Sequence, residues 1–281
     1  MQTTRRQFIK SGLGCALGMT LSRMTSTAAS QEKKISIGFQ LYTVRGEFAR
    51  NVPATLKALG ELGYQGVEFW GYDGTPNVYQ QYSAAELRKL LDGHGLKCCG
   101  MHLTLKALAK ENLARTVENN RILGSEFLNV AAAKEKMGSE ASIGELADFL
   151  NQTAVELQKH KMAVGYHAHN FDFAKINSRF AWELLFDHTK PEVNMQMDVG
   201  NCLGGDGDPI AMLKKFTGRT RSIHVKEHQE KTFESDFYKE VFRLCETAHP
   251  TKWYIVEMGG PDGNGFEVPK EALAKLHRLG K

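Results

Sequence analysis

No apolar run in the chain approaches the roughly 18 to 20 residues that a membrane-spanning helix requires, so the sequence offers no stable membrane anchor. Nor is there a CxxC pair or a dense cysteine framework. Beyond Cys15 the cysteines are Cys98, Cys99, Cys202 and Cys245, too sparse for a disulfide-built scaffold. Core packing suits most of them, and a disulfide among them stays open. Net charge is missing as well: Arg5, Arg6, Lys10 and Arg23 account for the formal +4, and without these four the 36 basic residues fall to 32 against 32 acidic ones. A nucleic-acid partner is therefore not implied. A Gly-rich dinucleotide turn is absent after the first apolar run, where the chain reads FQLYTVRGEF. The Gly-rich GGDGDP at 204–209 lacks the lysine of a phosphate loop and reads as a loop entering the next helix. No linker, low-complexity tract or heptad run interrupts residues 31–281, so one domain suffices.

What is present is the composition of a globular protein, 42% hydrophobic and 24% charged over 281 residues, long enough to bury a sizeable core. Residues 1–30 read as a leader. Arg5 and Arg6, then Gln7, Phe8, Ile9 and Lys10, a short weakly apolar stretch and the small residues Thr27, Ala28 and Ala29 resemble a twin-arginine export signal. That resemblance implies the twin-arginine translocation machinery as a partner during export, removal of the leader, and a periplasmic protein that acquires its cofactor before it is moved. Gly12-Leu13-Gly14 ahead of Cys15 is a poor lipoprotein cleavage box, so lipidation is not expected.

From residue 35 onward, short apolar runs alternate with segments of helical period. Strands are expected at 35–42, 66–70, 96–103, 126–132, 162–169, 193–199, 221–227 and 253–258. Helix starts of the capping-box kind are read at Ser83 with Glu86 and at Ser142 with Glu145, and helix ends at Gly63, Gly95 and Gly124. Eight strand-helix units at about 30 residues each fit an α/β fold of the (β/α)8 TIM barrel type in a single domain.

Such barrels build their sites at the carboxyl ends of the strands. The last four strands end in His167 and His169, then Asp198, then His224 with Lys226, then Glu257. Residues two apart on a strand share a face, so His167 and His169 project together, about 6 to 7 Å apart. Singly, Asp198 could cap a helix, His224 could sit satisfied in the core and Glu257 could pair with Lys226. Together, at equivalent positions of four successive strands, they offer imidazole and carboxylate ligands for one divalent ion, Zn, Mn, Co or Fe(II) rather than Ca. The first four strands supply Gln40, Tyr42, Arg45, Glu68, Trp70 and His102, a wall of polar and aromatic groups suited to a small sugar substrate.

The stretches FQLYTVR, GVEFW, YHAHNFDF, MDVGN, HVKE and VEM resemble the xylose isomerase-like barrel superfamily, in particular its sugar phosphate isomerase/epimerase branch, over essentially the whole chain beyond residue 30. The resemblance implies a metal-dependent carbohydrate enzyme with His167, Asp198, His224 and Glu257 as ligands and Asn201 near the substrate. In ketose epimerases of that superfamily the position of His167 is a glutamate, and two glutamates move the proton. Here Glu257 or His169 would be the base with Lys226 as electrostatic or acid partner, which suits isomerisation and equally β-elimination from a keto sugar. Further departures are Ala168, Asn170, Asp172 and Glu227. Three alternatives stay open: a lyase or hydrolase of 3-keto-glycosides or a keto-inositol dehydratase, a non-catalytic carbohydrate-binding barrel, and His169 rather than His167 as the ligand.

Overall fold

The computed structural model describes residues 34–281, so the leader read at residues 1–30 lies outside the described residues. Eight parallel strands form the barrel: β1 (Ser36–Gln40), β2 (Gly66–Tyr72), β3 (Lys97–Leu103), β4 (Phe127–Val130), β5 (Ala163–His167), β6 (Asn194–Gln196), β7 (Ser222–Val225) and β8 (Trp253–Val256). Neighbours in sequence pair in register, as in Gln40 with Glu68 and Val130 with Tyr166, and β1 pairs with β8. Between β6 and β7 the ladder shrinks to one parallel bridge, Asp198 with His224. There the His224 N–H donates to the Met197 carbonyl at 2.8 Å, which nearly closes the barrel.

All eight expected strands are present, but most stop two or three residues early. His169, Asp198, Lys226 and Glu257 therefore stand on the first loop residues beyond β5 to β8 rather than in them. The chain turns away because local groups capture it. The Asp172 carboxylate accepts from the His169 N–H at 2.7 Å and begins a tight turn, and Asp198 begins a helix.

Helices cover the barrel outside. Ser83 and Glu86 form the expected reciprocal cap. The second expected cap is displaced: Ser139, not Ser142, caps the helix Glu140–Gln158 by accepting from the Ser142 N–H, while Glu145 pairs with Lys136 one turn further on. Gly63 and Gly124 close their helices with φ of 104° and 76°, a left-handed conformation that a side chain would strain. As expected, GGDGDP leads into a helix, Pro209–Lys215, capped by Asp208. Cys98, Cys99, Cys202 and Cys245 are all free and buried, so they serve packing rather than a disulfide. None of the described helices is long and apolar enough to cross a membrane.

The barrel interior is apolar only in part. Asn194 Nδ2 donates to Asn129 Oδ1 at 3.0 Å and reaches Ser222 Oγ at 3.3 Å, forming a polar layer beneath the strand ends. Gly165 makes room for it, since a Cβ there would come within 2.2 Å of Asn129 Oδ1.

Candidate metal centre at the strand ends

His167, Asp198, His224 and Glu257 converge. One nitrogen or oxygen of each lies within 4.8 Å of the others. His224 Nδ1 is 2.9 Å from Glu257 Oε2 and 3.8 Å from Asp198 Oδ2, and His167 Nε2 is 3.9 Å from the same Glu257 oxygen. Asp198 does both things its position allowed. Its Oδ1 caps the following helix, accepting from the Asn201 N–H at 2.7 Å, while Oδ2 is buried and meets no donor. His167 Nδ1 is buried without a partner as well. An unmet buried acceptor costs about 1 to 3 kcal/mol, so these atoms suit a ligand the protein itself does not contain. Two imidazoles and two carboxylates on four strands are a donor set that fits Mn, Zn, Co or Fe(II).

Beneath the cluster lies a floor built on Glu68. This carboxylate has no exposed surface. Its Oε2 accepts from Gln40 Nε2 at 2.8 Å and His224 Nε2 at 2.7 Å and lies 3.0 Å from His102 Nε2, and its Oε1 accepts from Gln196 Nε2 at 2.8 Å. Gly100 permits the approach, because a Cβ there would meet Glu68 Oε1 at 2.3 Å. Glu68 thus holds one nitrogen of His224 while the other faces Asp198 and Glu257, the arrangement by which a carboxylate orients a metal-binding imidazole.

Burial and charge divide the cluster. Burial would raise the Glu68 pKa, but His102 and His224 outweigh it and lower it below the usual carboxylate range. Glu257 is likewise lowered, since His224 and His167 overcome its desolvation. Asp198 is raised well above its ordinary value by burial and the neighbouring Glu257 charge. Desolvation pulls His224 down, yet Glu68 and Glu257 hold it up to about 10. His167 is pushed well below its ordinary value by burial and then by His102 and His224, and burial also lowers His169.

The remaining expected residues fall into two groups. Gln40, Glu68 and His102, expected in a substrate wall, are instead 0%, 0% and 5% exposed and lie in the floor, turned toward one another. Tyr42, Trp70 and Arg45 stand at the rim. Tyr42 is 46% exposed, meets Trp70 edge-on with ring centroids 5.8 Å apart, and carries the Arg45 guanidinium over its face at 4.8 Å. His169 stacks on Phe171 and stands edge-on to His167, with centroids 5.3 and 5.0 Å apart. Lys226 Nζ donates to Asn201 Oδ1 at 3.2 Å, and Asn201 Nδ2 to the Ala168 carbonyl at 3.0 Å. A cleft of about 360 Å3 opens beside Glu257, lined by Tyr42, Arg45, Lys226, Glu227, Met258 and Gly259 among others. Another cavity, of about 430 Å3, lies at the opposite ends of the strands near Lys97 and Trp253, and no cluster residue lines it.

Gln196 is absent from the residues that sequence reasoning selects. It links Glu68 to His102, whose Nε2 is 2.7 Å from Gln196 Oε1, and to Ser222 Oγ at 3.1 Å. The same two-residue alternation that pairs His167 with His169 also joins Asn194, Gln196 and Asp198, and Ser222, His224 and Lys226. That periodicity is the signal by which Gln196 could have been found.

A model of the xylose isomerase-like TIM barrel family matches residues 56–279. Inosose dehydratase 2 of Bacillus cereus is 24% identical over 138 residues, 40% of this chain and 46% of that protein, so less than half of its length is spanned. Among solved structures, a sugar phosphate isomerase/epimerase from Parabacteroides distasonis ATCC 8503 superimposes with a TM-score of 0.74 at 20% identity, covering 90% of this chain and 96% of that one. D-psicose 3-epimerase does so with a TM-score of 0.63 at 14% identity, covering 87% and 99%.

Protons must leave for an ion to arrive. His224, held up to about 10, carries its second proton near neutral pH in the metal-free protein, and Asp198, raised well above its ordinary value by burial and the Glu257 charge, keeps its proton to higher pH than an ordinary aspartate. Liganding removes them, so affinity falls as pH falls. Titration calorimetry with Mn2+ in buffers of different ionisation enthalpy is expected to show release of about one to two protons at pH 7. Asp198→Asn should keep the helix cap, and the thermal midpoint with it, while losing at least about tenfold in affinity. Binding without proton release, or undiminished in the variant, would contradict the assignment.

Proposed function

The chain belongs to the xylose isomerase-like TIM barrel family, and on that premise we propose that it is a divalent-metal-dependent isomerase or epimerase of a carbohydrate or keto sugar. The convergence of His167, Asp198, His224 and Glu257 beside an open cleft supports this reading most strongly. A bound ion would polarise the substrate carbonyl and acidify an adjoining hydroxyl. The protein groups supply the proton transfer. Glu257 is ionised at neutral pH, and with Oε2 held by His224, Oε1 is the atom available to take a proton from carbon. His169 is kept neutral by burial, and its Nδ1, without a partner, can return a proton or take one. Lys226 Nζ, held by Asn201, is placed to stabilise charge developing on a substrate oxygen. Tyr42, exposed at the rim of the cleft with Trp70 packed edge-on against it, would offer aromatic surface to a sugar ring.

One observation favours a second reading, elimination or hydrolysis of an oxidised sugar or glycoside. The cluster has a histidine, His167, where a two-carboxylate epimerase would need its second base, so proton removal from one face is better provided than exchange across both. The likeness to an inosose dehydratase agrees with it. A non-catalytic carbohydrate-binding barrel would need no convergent ligand set, and stoichiometric metal in the purified protein would argue against it.

The roles of the paired histidines can be separated. His167→Ala is expected to lose metal and turnover together. His169→Ala should keep the metal and lose about 10²- to 10⁴-fold in kcat on whichever of a panel of ketoses, 3-keto-glycosides and keto-inositols proves to be turned over. Metal retained in the first variant and lost from the second would reverse the assignment.

Residues 1–30 are proposed to direct the folded protein to the periplasm by the twin-arginine route. Replacing Arg5 and Arg6 by Lys should leave folded protein in the cytoplasm. Undiminished periplasmic accumulation would point to another route.

A further inference from the structure

Lys226 places its charge at the end of a flexible four-carbon stem, so the charge has a fixed position only if the rest of the residue is held. Three contacts hold it. Tyr238, fully buried, comes from the helix Asp236–Thr247. Its hydroxyl accepts from the Lys226 N–H at 3.0 Å and donates to the Lys226 carbonyl at 2.6 Å, so one oxygen engages both backbone groups of the residue just past β7. The stem then crosses Gly200 in the helix Val199–Gly204, where a Cβ would stand 2.7 Å from Lys226 Cγ, 2.8 Å from Cδ and 3.0 Å from Cβ. Nζ ends 3.2 Å from Oδ1 of Asn201, the next residue of that helix.

Gly200 has no backbone reason to be glycine. Its φ is not positive, and inside a helix alanine is the more favourable residue. The atoms it makes room for are the near end of the lysine. A methyl there is relieved by turning the stem about its first bonds into another rotamer, which carries Nζ away from Asn201. Asp198 caps this same helix, so the metal-facing carboxylate and the cradle of the lysine belong to a single turn.

We infer that Gly200 and Tyr238 are positioning residues for the reaction, Gly200 as the bed on which the Lys226 stem lies and Tyr238 as the clamp on its backbone. On the reading of the barrel as a sugar isomerase or epimerase, on which these roles rest, Lys226 steadies charge developing on a substrate oxygen, and Gly200 and Tyr238 fix where its own charge stands. A charge aimed in advance needs no reorganisation as the substrate reacts, so its placement acts on kcat more than on KM.

The test is a set of double-mutant cycles on the metal-loaded protein, with the panel of ketoses, 3-keto-glycosides and keto-inositols as substrates and thermal unfolding and metal analysis as checks on each variant. Gly200→Ala and Tyr238→Phe are expected to keep the metal and to lose about 10- to 100-fold in kcat, with KM changed less than about threefold. In a Lys226→Met background, which keeps the stem and removes the charge, each should cost less than about twofold further, because the group they position is gone. Tyr238→Phe removes a single oxygen and keeps the ring, so it carries the test should the added methyl of Gly200→Ala prevent folding. Wild-type rates in the folded single variants, or losses that multiply undiminished with that of Lys226→Met, would overturn the positioning roles and leave the isomerase reading standing. Should wild-type protein turn over none of the panel, the isomerase reading falls, and crystals of Gly200→Ala decide the cradle: Nζ displaced from Asn201 upholds it, and Nζ still bonded there overturns it.

Discussion

Glu68 is a carboxylate with no exposed surface, and a charge so placed costs several kcal/mol unless the fold supplies its partners. The barrel does so from four other strands: Gln40 on β1, His102 on β3, Gln196 on β6 and His224 on β7. Because side chains alternate sides along a strand, a slip of one residue in any of these would turn a donor outward and leave the charge uncompensated. Register and electrostatics are thus one constraint. Its consequence for the site is direct, since His224 can offer one nitrogen to Asp198 and Glu257 only while the other is pinned by Glu68. The apolar core stabilises the fold in bulk, but the floor decides which way the imidazole faces.

The weakest place in the sheet is also where the chemistry gathers. β6 is three residues long, and its seam with β7 rests on the Asp198–His224 bridge. The strand is short because the chain turns into a helix directly after Asp198, whose Oδ1 caps that helix and leaves its second oxygen free. A longer β6 would close the seam more firmly and point Asp198 into an ordinary ladder. The same logic holds on β5, where Asp172 captures the His169 backbone and separates two histidines that a continuous strand would have held alike.

Much of this is legible in the sequence, and the exceptions have physical causes. Strand-helix alternation reveals the barrel because every β-run is short, apolar and bounded by turn residues. His167, Asp198, His224 and Glu257 stand out because polar groups in register at four strand ends are otherwise out of place. Strand ends run too long on the sequence, since hydrophobic pattern does not register the moment at which a side-chain cap such as Asp198 or Asp172 takes the backbone. Ser142 looks a better cap than Ser139 because Glu145 completes a capping pattern on paper, whereas Lys136 claims that carboxylate in space. Gln40, Glu68 and His102 look like surface chemistry in one dimension. Their burial follows from cross-barrel partners up to 156 positions apart, a separation no local pattern carries.

What distinguishes this centre is the mixture of a held histidine, a half-used aspartate and a glutamate that is both neighbour to His224 and nearest the cleft. Each of those roles presupposes that the four side chains share one ion. Anomalous diffraction from crystals grown with Mn2+ and measured at its absorption edge tests that most directly. A single strong peak at full occupancy is expected within bonding distance of His167, Asp198, His224 and Glu257. A peak bound elsewhere on the barrel, or none in crystals whose protein is folded as described, would contradict it.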